Sequence, residues 1–260
     1  MPSFIYRFSN LTIMFCCILL VSLFMHILPK LIQLIPYFVP SEESSSFGHY
    51  LFAPVGSSAG LIIGFLLNQA QSNFREVENA VSLEAGRINN LDRLLLRFGD
   101  ANSLNIRIEL QKYVTSIINE EWPKLKDGLG DKNTHMLWRA TSQDLFKLEP
   151  KDPKQLAIYS DILKKSEEIA ESREYRIDRS TQKLPELFWI VIFLLIFALT
   201  AINSLFIPSQ HMTFALTIVP VTFSGLISLL IITDQPFKGQ ASVKPRALEK
   251  VLESIKTRNK

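Results

Sequence analysis

Residues 187–233 read LFWIVIFLLIFALTAINSLFIPSQHMTFALTIVPVTFSGLISLLIIT and contain no Asp, Glu, Lys or Arg. A transmembrane helix needs about 20 apolar residues to cross roughly 30 Å of hydrocarbon. The run is too long for one crossing, and the polar Pro208-Ser209-Gln210-His211 in its middle is typical of a tight turn. The stretch therefore predicts two membrane-spanning helices, at 187–207 and 212–233.

The N-terminal part of the chain predicts two further spans, at 8–28 and 50–70. The first contains an uncharged run over 11–28 after Arg7, the arrangement that a cleaved signal peptide also has. Its apolar run is long and lacks an Ala-x-Ala-like cleavage site, which favours a retained helix. We therefore predict an all-α integral membrane protein with four transmembrane helices.

A charged, helix-forming region separates the second span from the third. Apolar residues recur near a 3.6-residue period from Phe74 to Phe98, which indicates that the second span continues as a helix and stops near Gly99-Asp100. A second helix is expected after a cap at Asn102 or Ser103 and should end around 126–128, and a third is expected at about 134–148. A last helix is expected after Asp152 and should run into the third span, with Pro185 at the junction. The predicted domains are 1–70 (the first helix pair, with an external loop at 29–49), 71–186 (a cytoplasmic helical bundle), 187–233 (the second helix pair) and 234–260 (a basic cytoplasmic tail).

Basic residues near the span ends predict the orientation. Lys30 is the only one on one side, whereas the other side collects Arg7 and the Lys and Arg residues of the bundle ends and of the tail. Cytoplasmic loops carry the excess of Lys and Arg. Both termini and the bundle are therefore expected in the cytoplasm.

The second span combines small residues with a polar end. Gly56, Gly60 and Gly64 recur every four residues with Ser57 beside them, and Asn68 is the deepest amide of the polar end. Such a ridge allows close approach of another helix, or leaves room for an ion in a pore. Asn68 is expected to face another helix or an aqueous cavity, because an amide facing lipid is costly.

Several segments resemble the bestrophins. Gly64-Phe65-Leu66-Leu67-Asn68, followed by Phe74-Arg75-Glu76, resembles the end of their second membrane helix, and 234–239 (DQPFKG) is similar to the Pro-Phe element after their last one. Over about 53–252 the chain resembles an uncharacterised bacterial family of bestrophin-like membrane proteins. That wider likeness rests on Glu84-Ala85, Tyr113 with Glu121-Trp122, Arg173-Glu174-Tyr175-Arg176-Ile177 and Leu184-Pro185-Glu186-Leu187-Phe188-Trp189.

The resemblance implies a bacterial inner-membrane protein that forms a homo-oligomeric ion channel lined by its second membrane helix. Chloride is the expected ion, although some bacterial relatives pass cations. The acidic cluster that clasps calcium in animal bestrophins has no counterpart after Pro236-Phe237, so calcium gating is not implied. Candidate pore or packing residues are Gly56, Ser57, Gly60, Gly64, Phe65 and Asn68.

A basic group near the membrane has three interpretations. Arg75, Arg173, Arg176 and Arg179 could form an electropositive vestibule that concentrates anions. The interpretation that we favour is that they anchor the helices to lipid headgroups. The third is that carboxylates within the bundle, which sequence spacing does not assign, neutralise them. The candidates for that neutralising role are Glu84, Glu121, Glu168 and Glu174. Beyond the last span, Asp234, Pro236 and Phe237 are expected to form a structured turn that docks the tail.

The sequence offers no sign of catalytic chemistry. The four histidines are scattered, and no phosphate-binding, dinucleotide-binding or nucleophile motif occurs. We therefore expect no enzyme activity, catalytic residue, metal site or cofactor, and no nucleic-acid partner. The partners we expect are the lipid bilayer, further copies of the chain and an inorganic ion. The alternative function is a non-conducting scaffold or sensor whose cytoplasmic bundle binds a protein.

Overall fold

A computed structural model of the protein describes residues 3–207 and 209–259, and every regular element in these ranges is helical. The α-helices are α1 (Asn10–Gln33), α2 (Glu42–Phe98), α3 (Ala101–Ser116), α4 (Lys132–Leu145), α5 (Pro153–Ser180), α6 (Glu186–Asn203), α7 (Gln210–Thr233) and α8 (Arg246–Arg258). Short 3₁₀ segments cover Ser3–Arg7, Pro36–Phe38 and Trp122–Asp127, and a π-helical turn covers Ile117–Glu121.

The chain divides into two compact units. The first contains Met1–Asn73 and Lys183–Ser242, and the second contains Phe74–Gln182 and Val243–Lys260. The apolar helices belong to the first unit and the charged bundle to the second. The tail predicted as one segment at 234–260 contributes to both.

The first unit contains α1, the N-terminal part of α2, α6 and α7. Among the described residues, four helices are long and apolar enough to cross a membrane: α1, α2, α6 and the 18 residues Leu216–Thr233 of α7. All four contribute to one apolar core, whose members include Ile13, Met25, Ala59, Ile63, Leu66, Ile192, Ile196, Leu199, Phe223, Ile227 and Leu230.

Helix α1 continues through Pro29, where the sequence predicted that the external loop begins. A proline lacks the N–H that would pair with the carbonyl four residues earlier, here that of Met25. Nδ2 of the buried Asn203, in α6, donates to this Met25 carbonyl at 3.0 Å. The helix therefore extends to Gln33, because a neighbouring helix supplies the missing donor.

Helix α2 begins earlier than the sequence predicted, at Glu42. Ser41 and Ser44 form a reciprocal cap, in which each backbone N–H donates to the other's hydroxyl, at 2.8 and 3.1 Å. Two serines thus satisfy the orphan donors of the first turn. The external loop predicted at 29–49 shortens to 34–41.

Aspartates cap three helices of the second unit, α3, α4 and α5. The carboxylate of Asp100 accepts from the Ser103 N–H at 2.6 Å and caps α3, so the prediction of a cap at Asn102 or Ser103 is wrong. Asp131 caps α4 in the same way, and Asp152 caps α5 as expected. Gly99 has φ +77° and turns the chain out of α2, which places Asp100 in the extended conformation that a capping residue needs.

Two helix ends differ from the prediction. Helix α3 stops at Ser116, and the chain continues through the π-helical and 3₁₀ turns to Asp127. Helix α5 ends at Ser180 and does not run into α6, which begins at Glu186. Pro185 disfavours helical geometry at Leu184, so a continuous helix through this junction is unfavourable. Pro208, expected in the turn before α7, lies outside the described residues.

The basic tail forms a helix that the sequence did not predict. Leu248 and Ile255 of α8 are buried in the second unit, and Arg258 donates to Asp92 of α2 at 2.8 Å. Asp92 is fully buried and also accepts from Arg107 of α3 at 2.8 Å. One carboxylate therefore connects three helices of this unit.

The Asn203–Met25 hydrogen bond predicts a dependence on proline. Replacing Asn203 by Leu leaves the Met25 carbonyl unpaired and should lower the free energy of unfolding by about 1 kcal/mol, the usual scale inside membranes. In a Pro29→Ala background the new N–H pairs with this carbonyl, so Asn203→Leu should cost less. Denaturant titration in detergent of the four proteins of this cycle measures the difference. Equal losses in both backgrounds would contradict the assignment.

Candidate functional site

One face of α2 packs inside the first unit. Ala59, Ile63, Leu66 and Ala70 are buried there and recur at intervals of four, three and four residues. This spacing puts them on a single side of the helix. Their burial fixes the rotation of α2 and therefore which residues point away from the core.

The opposite face of α2 is uncovered in the chain. Ser57, Leu61, Gly64 and Asn68 follow the same interval of four, three and four, and all are exposed. Phe65, one turn after Leu61, is 64% exposed, and Leu61 is 75% exposed. The face is mixed, with small or polar residues at both ends and two large apolar side chains in its middle.

The predicted glycine ridge does not pack within the chain. A Cβ added at Gly60 or Gly64 would meet no described atom within 4 Å, and one at Gly56 would meet Leu199 Cδ2 at 3.9 Å, an ordinary contact. If these glycines serve close packing, the partner is therefore another molecule.

The Asn68 side chain makes no hydrogen bond to any described residue, whereas the neighbouring Gln69 donates to Asn73 at 3.0 Å. A primary amide has two donors and one acceptor. In a membrane span these groups need water or a polar partner, since hydrocarbon offers neither. Asn68 therefore needs water or a polar partner beyond the residues that the structure describes.

Two arginines of the expected vestibule are buried in the second unit. Arg176 of α5 donates through Nε to Glu84 of α2 at 2.6 Å and through Nη2 to Glu121 at 2.8 Å. Arg173 donates to the other oxygen of Glu121 and to the backbone oxygen of Asp131. Arg176, Glu84 and Glu121 are all 0% exposed. These two arginines thus have the intrabundle partners that the sequence left unassigned, and they line no vestibule.

The π-helical turn presents Glu121 to both arginines. An extra residue in a helical turn shifts the side chains that follow it, and such turns are frequent at functional sites. The Asp131 N–H also donates to Glu121, at 2.9 Å, and Arg176 lies 5.7 Å from the Trp122 ring centre. Burial is the main cause that raises the pKa of the neighbouring Tyr113 well above its ordinary value, with Glu84 adding to it.

The remaining basic candidates differ in their pairing. Arg179 is half-buried and forms an ion pair with Glu76 at 2.9 Å, whereas Arg75 is exposed and forms no ion pair with a described residue. Glu168, a candidate partner of the group, instead pairs with Arg87 at 3.3 Å and Lys165 at 2.6 Å.

The turn after α7 docks against the N-terminal segment of the first unit. Asp234 is 5% exposed and accepts from the Leu184 N–H at 2.7 Å, while Pro236 and Phe237 are buried. Gly239 has φ +76° and lies against Tyr6. Burial raises the pKa of Asp234, and the Leu184 N–H partly opposes the rise. Burial and then the nearby Asp234 raise the pKa of Tyr6.

The described residues contain no group of three or more His, Cys, Asp or Glu side chains placed to hold a metal ion. Cys16 and Cys17 are free thiols.

The buried ion pairs predict a strong coupling between Arg176 and Glu84. Arg176→Met strands the buried Glu84 carboxylate and should cost about 3–5 kcal/mol of unfolding free energy. The double variant Arg176→Met/Glu84→Met removes the stranded charge and should recover much of that loss. Glu167→Gln, on the exposed side of α5, should change it by less than about 0.5 kcal/mol. Unfolding in detergent of these variants and of Glu84→Met alone measures the coupling, and a loss in the double variant equal to the sum of the two single losses would contradict the pairing.

Comparison with known proteins agrees with the resemblance seen in the sequence. The model of the Bestrophin-like domain matches residues 14–248. No curated protein sequence matches.

Three similar crystal structures are of a bacterial bestrophin homologue from Klebsiella pneumoniae. One point variant has a TM-score of 0.71 at 15% identity and covers 97% of this chain and 98% of that chain. Another has a TM-score of 0.66 at 17% identity, with 95% and 98% covered. A third structure has a TM-score of 0.67 at 14% identity, with 96% and 98% covered. At such identities the likeness shows a shared fold.

The family match extends over most of the chain and covers residues of both compact units. The protein therefore belongs to the Bestrophin-like family of membrane proteins.

Proposed function

We propose that the protein is an ion channel formed by several copies of the chain, with α2 of each copy lining a central pore. The observation that carries the proposal is the uncovered face of α2, with Ser57, Gly64 and Asn68 along it. A lipid-facing helix gains nothing from such residues and loses the hydration of its amide. Around a shared axis the same face would meet water.

The apolar middle of the uncovered face suggests a constriction. Leu61 and Phe65 lie one turn apart and are both largely exposed in the chain. Copies arranged around an axis would bring these side chains together as two successive rings. Hydrophobic rings gate channels by excluding water from the pore. We propose Leu61 and Phe65 for this role, with Gly60 and Gly64 giving neighbouring copies room to approach.

We propose that α1, residues 50–70 of α2, α6 and α7 cross a bacterial inner membrane. The second unit and both termini would then lie in the cytoplasm, on the side to which the basic residues point.

Chloride is the ion we propose, with a cation as the alternative. Of the four arginines expected in a vestibule, Arg75 is the one that is both exposed and without an ion pair among the described residues. A ring of such cations at a pore mouth raises the local anion concentration. The electrostatic support for chloride therefore comes from one arginine per chain, whereas the sequence suggested four.

Purified protein in a planar bilayer under a potassium chloride gradient tests this function. We expect a protein-dependent current that reverses near the chloride equilibrium potential, and Gly60→Leu should lower the conductance severalfold. A Cβ at position 60 would meet no described atom within 4 Å, so we expect the variant to keep its secondary structure and solubility. Lys250→Ala, on the exposed side of α8, serves as the matched control.

Each other outcome leads to a different account. A current reversing near the potassium potential would identify a cation pore. Silence from folded protein across voltage, pH and calcium would overturn the channel and favour the non-conducting scaffold. Unchanged conductance in Gly60→Leu would contradict α2 as the pore lining.

A further inference from the structure

A strongly basic pocket lies within the second unit, between the C-terminal part of α2 and the first half of α5. It has a volume of about 290 Å³ and is lined by Asn90, Arg93, Leu94, Arg97, Asp161, Lys164 and Lys165. Four of these side chains are cations and one is an anion. The site is independent of the proposed pore and is contained in one compact unit.

Three of the four cations have no carboxylate partner. Arg93, Arg97 and Lys164 are exposed and form no ion pair with a described residue. Lys165 differs, because Glu168 holds its ammonium group at 2.6 Å. Like charges that converge on one pocket repel each other, and this repulsion is relieved when an anion binds between them.

The lining indicates the kind of anion. Arg guanidinium groups bind phosphate and carboxylate oxygens in pairs of parallel hydrogen bonds, and Lys adds a point charge. Two arginines and two lysines against one aspartate suit a ligand with more than one negative charge. The Asn90 amide can donate to a further oxygen.

The size and composition of the pocket limit the rest of the ligand. Pockets for small organic ligands usually measure about 300–1,000 Å³ and are mostly apolar. This pocket is at the lower end of that range, and Leu94 is the one apolar residue lining it. A nucleobase would require an aromatic or apolar surface that the lining does not offer. The pocket therefore fits a compact inorganic or phosphate-like anion better than a nucleotide.

We infer that this pocket binds a compact multivalent oxyanion of the phosphate or pyrophosphate class through Arg93, Arg97, Lys164 and Lys165. The two helices that hold the cations are α2 and α5, so a bound anion bridges them. The carboxylate of Asp161 lies in the same lining and opposes the binding of an anion.

Calorimetric titration of inorganic pyrophosphate into the full-length protein, in discs of zwitterionic lipid at constant ionic strength, tests the inference. We expect saturable binding with one site per chain. Arg97→Gln should raise the dissociation constant about tenfold, as expected for the loss of a charge-assisted hydrogen bond. Asp161→Asn should lower it, because the same pocket loses its opposing charge.

Arg139→Gln is the matched control. It removes the same charge as Arg97→Gln from an exposed position in the same unit, on α4 and outside the pocket lining. Its dissociation constant should stay within about twofold of the parent, because exposed charges are largely screened beyond roughly 10 Å. Lys164→Gln replaces Arg97→Gln if that variant is not folded.

Several results would overturn the inference. They are the absence of saturable heat, an equal effect of Arg139→Gln and Arg97→Gln, and weaker binding in Asp161→Asn.

Titration in discs with anionic lipid distinguishes a free phosphate ligand from the phosphate of a lipid headgroup. If pyrophosphate does not bind in those discs but binds once added salt has displaced the lipid from the pocket, the phosphate group that the pocket recognises is that of a lipid headgroup.

Discussion

The two faces of α2 have opposite surroundings, because one packs in an apolar core and the other is uncovered. Ala59, Ile63 and Leu66 are buried against α1, α6 and α7, and this packing determines how the helix is rotated. The other side then has to carry Asn68, whose amide finds no partner among the described residues. Hydrocarbon cannot satisfy such a group. The proposed assembly, pore and constriction all depend on this one constraint: the uncovered face of α2 carries polar residues that hydrocarbon cannot satisfy.

The second unit differs from the first because arginines lie in its core. Arg173 and Arg176 are both tied to Glu121, and Arg176 also to Glu84. A buried ion pair adds little net stability, but losing one partner is costly. We infer that these directional pairs help to set the register of α5 against α2 and the π-helical turn. On the same view, Asp92 locks α8 in place through Arg258.

The sequence predicted much of the fold because the relevant signals are local. Uncharged runs identify the apolar helices, and Asp152 before Pro153 marks the start of α5. The failures concern signals that depend on tertiary contacts. Pro29 does not end α1, because Asn203 replaces its missing donor. Helix α8 was missed because its short, charged sequence becomes a helix by docking Leu248 and Ile255.

The candidate site was predictable in composition and not in orientation. Spacing showed that Gly56, Gly60 and Gly64 share a side and that Asn68 is the deepest amide, but only the packing of α2 shows which of its residues are uncovered. Arg176 and Arg179 have similar sequence surroundings, yet one is fully buried and the other half-buried. Helical period alone does not reveal which of them reaches a buried glutamate.

The claim that the uncovered face of α2 meets water is tested most directly by thiol accessibility. In a background with Cys16 and Cys17 replaced by Ala, Ser57→Cys, on the uncovered face and outside the proposed constriction, is compared with Leu194→Cys of α6; both residues are exposed in the chain. A charged thiosulfonate reacts with the thiolate, which forms in water. The account predicts labelling at position 57 and none at 194, which it places against lipid. Protection of position 57 in folded, membrane-embedded protein would contradict it.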